Sequence, residues 1–306
     1  LDLFEVRDVW KKLNIQVYSK HIESFQPVNK SKKYPIIFFN HGNGMLLHDH
    51  SFLLGDLASH GYVVVSIQNQ LKTDKTKPAR NANRTVSNYN NVIENNLCVF
   101  DWLNKNNKFI FYSTLDLSRI GVIGYSMGAN ASLLWADRVS RNGNKSTLFA
   151  HSERSNAKEC IVALDGRRIS FPLSNKTPVF MLISGTREQE QKENGEYELM
   201  KKIGHKFHYY KHTHHGSFSD HAYINIKCPL APKNGWYYGT TEERLKFFDE
   251  IRKDVREFIK EHIKQEPIQI NAYNPQWPQI YENHAIQISK ALITNLIEIH
   301  HIGSTA

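Results

Sequence analysis

Short apolar runs alternate with helical patterns along most of the chain, and this alternation constrains the fold more than any other feature. The runs that predict buried strands are residues 34–40, 62–67, 119–124, 160–164, 178–184 and 205–211. The patterns that predict helices are residues 51–60, residues 91–103, the segment after Ser126 and residues 241–264. Because strands that alternate with helices pair in parallel, the sequence predicts an α/β fold with a mostly parallel central sheet and helices on both faces.

Two further patterns concern the first strand and the last helix. Residues 13–18 alternate apolar with polar side chains, which predicts a half-exposed edge strand. Thr240 and Glu243 have the spacing of a capping box, in which each side chain binds the backbone N–H of the other residue. The last helix is therefore expected to begin directly after Thr240.

The composition fits a globular protein and excludes several other classes. Hydrophobic residues make up 40% and charged residues 23% of the 306 residues, which argues against a collagen-like, disulfide-scaffold or disordered chain. No apolar run approaches the ~18 residues of a membrane span, so none is expected. The net charge of +9 comes from scattered Lys and Arg without a nucleic-acid-binding motif, so we expect no nucleic-acid partner. The oligomeric state stays open.

The cysteines and the first residue bear on the compartment. Cys98, Cys160 and Cys228 form no C-x-x-C motif and no disulfide framework, which favours free thiols in a reducing, cytoplasmic compartment. The sequence begins at Leu1 without a signal-peptide pattern, and a signal peptide cleaved earlier stays an open alternative.

The segment Gly124-Tyr125-Ser126-Met127-Gly128 points most directly to chemistry. It lies between a predicted buried strand and a predicted helix, which is the setting of a nucleophile elbow. This tight turn lifts a serine above the carboxyl end of its strand and accepts only small residues two positions to either side. Backbone N–H groups at the start of the helix face an anion that forms there. The motif predicts that Ser126 is a nucleophile.

A nucleophilic serine needs a base and an acid that orients the base. Asp165 directly follows the strand at 160–164 and is the preferred acid, with Glu188 after the next strand as the alternative. The histidines that follow the strand at 205–211 are His212, His214, His215 and His221. Local spacing does not choose between His214 and His215.

The oxyanion of an acyl-transfer reaction needs two backbone N–H donors. One is expected from Met127, the residue after the nucleophile, and the other from the loop that follows the first buried strand. That loop is H-G-N-G at 41–44, where Asn43 is placed to supply its N–H.

At this point the sequence resembles a known family. Residues 1–264 resemble the platelet-activating factor acetylhydrolase-like branch of the α/β-hydrolases and, more loosely, dienelactone hydrolases. The shared segments are Y-P-I-I-F-F-N-H-G-N-G, D-L-A-S-H-G-Y-V-V-V, G-Y-S-M-G-A, A-L-D-G and H-G-S-F-S-D. The resemblance implies Asp165 as the acid and His215 as the base, with Phe218 and Asp220 completing its motif. It also implies hydrolysis of short acyl esters or modified phospholipids without a cofactor.

Two departures from that branch bear on the substrate. Tyr125 and Met127 flank the serine where the family often has His and Phe, and Gly166-Arg167-Arg168 replaces an aromatic residue after the acid. We therefore consider that Arg167 and Arg168, together with Arg187 after the next strand, bind a phosphate or carboxylate of the substrate.

The C-terminal residues have a different resemblance. Segments 268–282 and 297–306 resemble the opening of the GrpB-like family, which has a nucleotidyltransferase-type fold. We expect a hydrolase domain at 1–266 and a partial GrpB-like domain at 267–306, clipped from a longer fusion. The metal-holding acidic residues of that family would follow Ala306.

The sequence thus predicts a serine ester hydrolase with Ser126, His215 and Asp165 as its triad. Two alternatives remain. One is a non-catalytic α/β-hydrolase scaffold fused to the nucleotidyltransferase-like tail. The other is a metal-dependent hydrolase that uses the histidine clusters, including His48-Asp49-His50, although the sequence has no firm zinc-site spacing.

Overall fold

The computed structural model describes residues 32–69, 86–108, 111, 113–141, 158–166, 177–222 and 240–264. The strands are β1 (Tyr34–Asn40), β2 (Val63–Ile67), β3 (Leu115–Tyr125), β4 (Lys158–Leu164), β5 (Val179–Ser184) and β6 (Lys206–Tyr210). The helices are α1 (Ser51–Ser59), α2 (Val86–Asn106), α3 (Met127–Arg141), α4 (Glu188–Glu193), α5 (Glu196–Ile203) and α6 (Thr241–His262). The predicted edge strand at 13–18 lies outside the described residues.

The described strands form one sheet in which every neighbouring pair is parallel. The order across the sheet is β2-β1-β3-β4-β5-β6. All carboxyl ends therefore lie at one edge of the sheet, where the loops after β1, β3, β4, β5 and β6 meet. This confirms the predicted α/β fold and brings distant sequence segments together at that edge.

Both faces of the sheet are buried along its central strands, which explains why β1, β4 and β5 are mostly continuous apolar runs. Ile36 and Phe38 of β1 pack with α2 and α3 on one face, and Ile37 and Phe39 pack with α1 and α6 on the other. All four side chains are 0% exposed. No described helix is long and apolar enough to cross a membrane.

The observed elements differ from the predicted ones mainly in length. Strand β3 begins at Leu115 rather than 119, and α2 spans Val86–Asn106 rather than 91–103. The short helices α4 and α5 were not predicted. Helix α4 has no apolar residue, and α5, with eight residues, is too short for a periodic pattern to stand out. The capping box before α6 is present, with Glu243 N–H donating to Thr240 Oγ1 at 3.2 Å and Thr240 N–H donating to Glu243 Oε2 at 2.6 Å.

Candidate active site

Ser126 lies in a strained turn between β3 and α3. Its φ angle is 55°, in the left-handed region that a non-glycine residue adopts at a cost of about 1–3 kcal/mol. A Cβ at Gly124 would lie 2.2 Å from the carbonyl oxygen of Gly128, and a Cβ at Gly128 would lie 2.0 Å from the carbonyl oxygen of Asn40. Both positions therefore require glycine if the turn is to close.

Three residues that the sequence singled out lie in one hydrogen-bonded chain. Ser126 Oγ is 2.9 Å from His215 Nε2, and His215 Nδ1 is 2.6 Å from Asp165 Oδ2. They come from the carboxyl ends of β3 and β4 and from the loop after β6. A carboxylate on Nδ1 fixes the proton there and leaves Nε2 as the acceptor that faces the serine hydroxyl.

Asp165 is held as a buried carboxylate. Its side chain is 0% exposed, its φ is 48°, and Oδ1 accepts the N–H of Ser184 at 2.8 Å. Burial raises the pKa of Asp165, but the bond with His215 and the charge of Arg187 outweigh it and hold that pKa below its ordinary value. The acid therefore stays ionised across the neutral range.

His215 is supported by Tyr125, the residue before the serine. The Tyr125 hydroxyl donates to the backbone carbonyl of His215 at 2.8 Å, and the two rings stack with centroids 4.9 Å apart and planes 21° apart. The tyrosine is 4% exposed, so it forms a buried wall behind the imidazole. This residue is one of the two departures from the family pattern that flank the serine.

Arg187 follows β5 and binds the acid rather than lying open at the surface. Its Nη1 donates to the carbonyl oxygens of Asp165 and Gly166, each at 2.8 Å, and its Nε lies 3.5 Å from Asp165 Oδ2. The guanidinium of Arg187 is thus used within the protein, and its expected contact with a substrate anion stays a prediction. Arg167 and Arg168 lie outside the described residues.

The loop after β1 is fixed by a buried histidine. Asn69 N–H donates to His41 Nε2 at 2.9 Å, which leaves His41 Nδ1 protonated to donate to the carbonyl oxygen of Gly42 at 2.8 Å. Burial lowers the pKa of His41 and keeps the ring neutral. Because the N–H and C=O of a trans peptide point in opposite directions, this bond also sets the direction of the Asn43 N–H.

Asp220 has a structural function that the sequence did not reveal. It is 4% exposed, and its carboxylate accepts the N–H groups of Ser51 at 2.8 Å and Phe52 at 3.2 Å, at the start of α1. Asp220 thus caps the helix that follows the loop at 41–44, across a sequence distance that no local rule covers. Its own N–H donates to the carbonyl oxygen of Asp49 at 2.8 Å.

Several solved structures have the same architecture as the chain. A ferulic acid esterase from Streptomyces cinnamoneus has a TM-score of 0.50 at 18% identity, over 81% of this chain and 73% of the esterase. The chain has the α/β-hydrolase fold. A dienelactone hydrolase from Anabaena variabilis ATCC 29413 has a TM-score of 0.45 at 14% identity, over 76% of this chain and 88% of that one. A fungal esterase from Rhizomucor miehei also has a TM-score of 0.45, at 13% identity, over 85% and 92%.

Two family models match parts of the sequence. The model of the Chlorophyllase family matches residues 5–148, which include Ser126 and the loop at 41–44 but neither Asp165 nor His215. The model of the GrpB protein family matches residues 267–306, as the resemblance of the tail implied. No curated protein matches the chain significantly.

Two other candidates from the sequence have charged partners of their own. Glu188 pairs with Lys192 on the surface, with Nζ and Oε1 2.7 Å apart, and so is not the acid that meets His215. His221 Nε2 lies 3.4 Å from Asp49 Oδ1. Within the described ranges, no group of three or more His, Cys, Asp and Glu side chains could hold a metal ion.

Two of the supporting residues carried partial signals in the sequence. Tyr125 stood out as a departure from the family pattern, and Arg187 stood out as an arginine at the carboxyl edge of the sheet. Neither signal indicates the partner, because each contact joins residues that lie more than 20 positions apart, Tyr125 with His215 and Arg187 with Asp165.

Proposed function

We propose that this α/β-hydrolase is a serine ester hydrolase in which Ser126 is the nucleophile, His215 the general base and Asp165 the orienting acid. The observation that carries the proposal is the hydrogen-bonded chain from Ser126 Oγ to His215 Nε2 at 2.9 Å and from His215 Nδ1 to Asp165 Oδ2 at 2.6 Å. The strained turn at Ser126 supports it, since strain of this kind persists where the surrounding structure enforces it.

The reaction follows from these positions. His215 Nε2 takes the hydroxyl proton of Ser126 while Oγ bonds to the ester carbonyl carbon and the carbonyl oxygen becomes an anion. The tetrahedral intermediate then collapses, the bond to the alkoxide oxygen breaks, and His215 returns the proton to the leaving alcohol. Water, deprotonated by His215, attacks the acyl-enzyme, and the carboxylic acid leaves while Ser126 regains its proton. No step needs a cofactor.

The oxyanion is assigned to the N–H groups of Asn43 and Met127. Met127 is the first residue of α3, where a backbone N–H has no partner within its helix. The bond from His41 to the carbonyl oxygen of Gly42 supports the direction of the Asn43 N–H. Both donors are part of the backbone and need little reorganisation when charge develops.

The substrate class rests on likeness rather than on a described pocket. Short acyl esters or modified phospholipids follow from the resemblance to the acetylhydrolase-like branch, and the esterase and dienelactone hydrolase neighbours agree with a small carboxylic ester. The division into a hydrolase domain at 1–266 and a GrpB-like segment from 267 is part of the same proposal.

The test compares wild type with Ser126→Ala in two assays. A fluorophosphonate probe is expected to label the wild type at Ser126 and to leave the variant unlabelled. A series of p-nitrophenyl esters from acetate to long acyl chains is expected to be hydrolysed by the wild type and at least about 10³-fold more slowly by the variant. Equal activity of the two proteins would refute the assignment, and a folded wild type without labelling or turnover would favour the non-catalytic scaffold.

A further inference from the structure

Arg187 contacts both the backbone and the side chain of Asp165, the acid of the proposed triad. Its Nη1 binds the carbonyl oxygens of Asp165 and Gly166, and its Nε faces the Asp165 carboxylate at 3.5 Å. Its Nη2 lies 3.5 Å from His215 Nδ1. The side chain is only 13% exposed, so this arrangement is largely shielded from solvent.

The contact between Arg187 and His215 brings a cation to a ring that gains positive charge during the reaction. Because Nδ1 carries the proton that it donates to Asp165, the guanidinium has no lone pair to bind there, and the contact is one between a cation and an N–H donor. Protonation of His215 at Nε2 therefore places two positive groups side by side. Arg187 also offsets part of the negative charge of Asp165, which weakens the attraction that stabilises an imidazolium.

The other titratable groups around His215 do not supply the same effect. Asp165 is the carboxylate on the ring, and His214 and His50 are the other histidines with an electrostatic contact to it among the described residues. Burial lowers the pKa of both, to about 3 for His50, so both are neutral at pH 7. Among the residues that the structure describes, Arg187 is thus the permanent cation beside His215.

We propose that Arg187 is a positioning residue of the triad that clamps the Asp165–Gly166 turn and shifts the acidic limb of the pH–activity profile towards lower pH. The inference rests on the proposed serine hydrolase function. Both parts follow from one side chain: two carbonyl bonds hold the turn that aims Asp165, and the charge disfavours the protonated, inactive form of the base.

Two variants of Arg187 separate the clamp from the charge. Arg187→Gln keeps polarity but removes the cation, while Arg187→Lys keeps a cation that makes fewer directed bonds. Arg256→Gln is the matched control, because Arg256 binds Asp56 through Nη1 at 2.8 and 2.9 Å, away from the serine. Thermal unfolding of all three variants reports any general loss of stability.

The main readout is the rate of fluorophosphonate labelling of Ser126 between pH 4.5 and 9, which requires no knowledge of the natural substrate. Arg187→Gln is expected to label about 10- to 100-fold more slowly at the plateau. The midpoint of its acidic limb is expected about one pH unit above that of the wild type. Arg187→Lys is expected to lose rate but to keep its midpoint near the wild-type value, and Arg256→Gln to keep both. A midpoint of Arg187→Gln that coincides with the wild type, or an unchanged plateau rate, would overturn the proposal.

A second readout distinguishes failure of this inference from failure of the proposed function. The downfield proton NMR resonance of the His215–Asp165 hydrogen bond titrates with the base even if no ester is turned over. A wild type that is never labelled refutes the serine hydrolase. A resonance whose titration midpoint is the same in the wild type and in Arg187→Gln refutes the effect of the Arg187 charge, whether or not the protein is labelled.

Discussion

Gly128, two residues after the proposed nucleophile, allows the sharpest test of the geometry of the turn at Ser126. Gly128 is the second residue of α3, and a Cβ built there would lie 2.0 Å from the carbonyl oxygen and 2.5 Å from the carbonyl carbon of Asn40, and 2.7 Å from the carbonyl oxygen of His41. All three atoms belong to the backbone at the end of β1 and the start of the loop at 41–44. None of them can rotate away as the end of a side chain could.

The magnitude follows from the distances. Contacts of a real Cβ essentially never fall below 3.0 Å, so Gly128→Ala requires β1 and α3 to separate by about 1 Å. Overpacking of this kind costs about 3 kcal/mol or more where the obstacle is backbone. For a domain of this size we expect the melting temperature to fall by about 6–12 °C. The loop at 41–44 would move with Asn40, so kcat is expected to fall as well.

Gly55 provides the control for the same substitution. It lies in the middle of α1, and a Cβ there meets nothing within 4 Å. Gly55→Ala is therefore expected to stabilise the protein by about 0.5–1 kcal/mol, because alanine favours the helix over the unfolded chain. Thermal unfolding and p-nitrophenyl ester hydrolysis of both variants decide the matter. If Gly128→Ala is as stable as Gly55→Ala, the close approach of α3 to β1 is wrong.

Three further variants test the supports of the site. Tyr125→Phe removes the hydroxyl that binds His215, and we expect kcat/KM to fall about 3- to 10-fold with little change in KM. His41→Ala frees the peptide that orients the Asn43 N–H, and steady-state kinetics should show a fall in kcat of about 10-fold or more at similar KM. Burial lowers the pKa of His50 from 6.5 to about 3, so unfolding takes up a proton below pH 6.5 and the free energy of unfolding falls on acidification, by up to about 1.4 kcal/mol per pH unit. Urea unfolding at pH 7 and pH 5 should show a smaller fall for His50→Phe than for the wild type.

The parts of the fold that the sequence predicted are those in which local pattern and burial agree. Strand β1 was predicted with the bounds that the structure has, because a short and mostly apolar run is typical of a buried strand and is too short for a helix. The start of α6 was predicted because Thr240 and Glu243 bind each other within four residues. The short helices α4 and α5 carry no such local signal, since they have only six and eight residues.

In the candidate site, too, the sequence predicted the residues that carry a local signal and missed those that depend on distant contacts. The motif around Ser126 is local, so its turn could be predicted from the glycine spacing together with the strand before it and the helix after it. Asp165 was preferred over Glu188 as the acid because it directly follows its strand. The choice of His215 over His214 needed the family resemblance, because neighbouring residues differ only in the direction of their side chains.

The contacts of Arg187 and Asp220 lie beyond any reasoning of this kind. Each is a single charged side chain whose role depends on which carbonyl or N–H groups a distant segment brings within 3 Å. The parallel sheet places the carboxyl ends of β4 and β5 side by side, and that pairing brings Arg187, in the loop after β5, to the backbone carbonyl of Asp165, in the loop after β4. The predicted sheet therefore indicates that side chains meet at the carboxyl ends of neighbouring strands. Which side chains meet there depends on the register of the strands. For this reason the effect of Arg187→Gln on the pH profile tests the three-dimensional arrangement of Arg187, Asp165 and His215, which no sequence motif indicates.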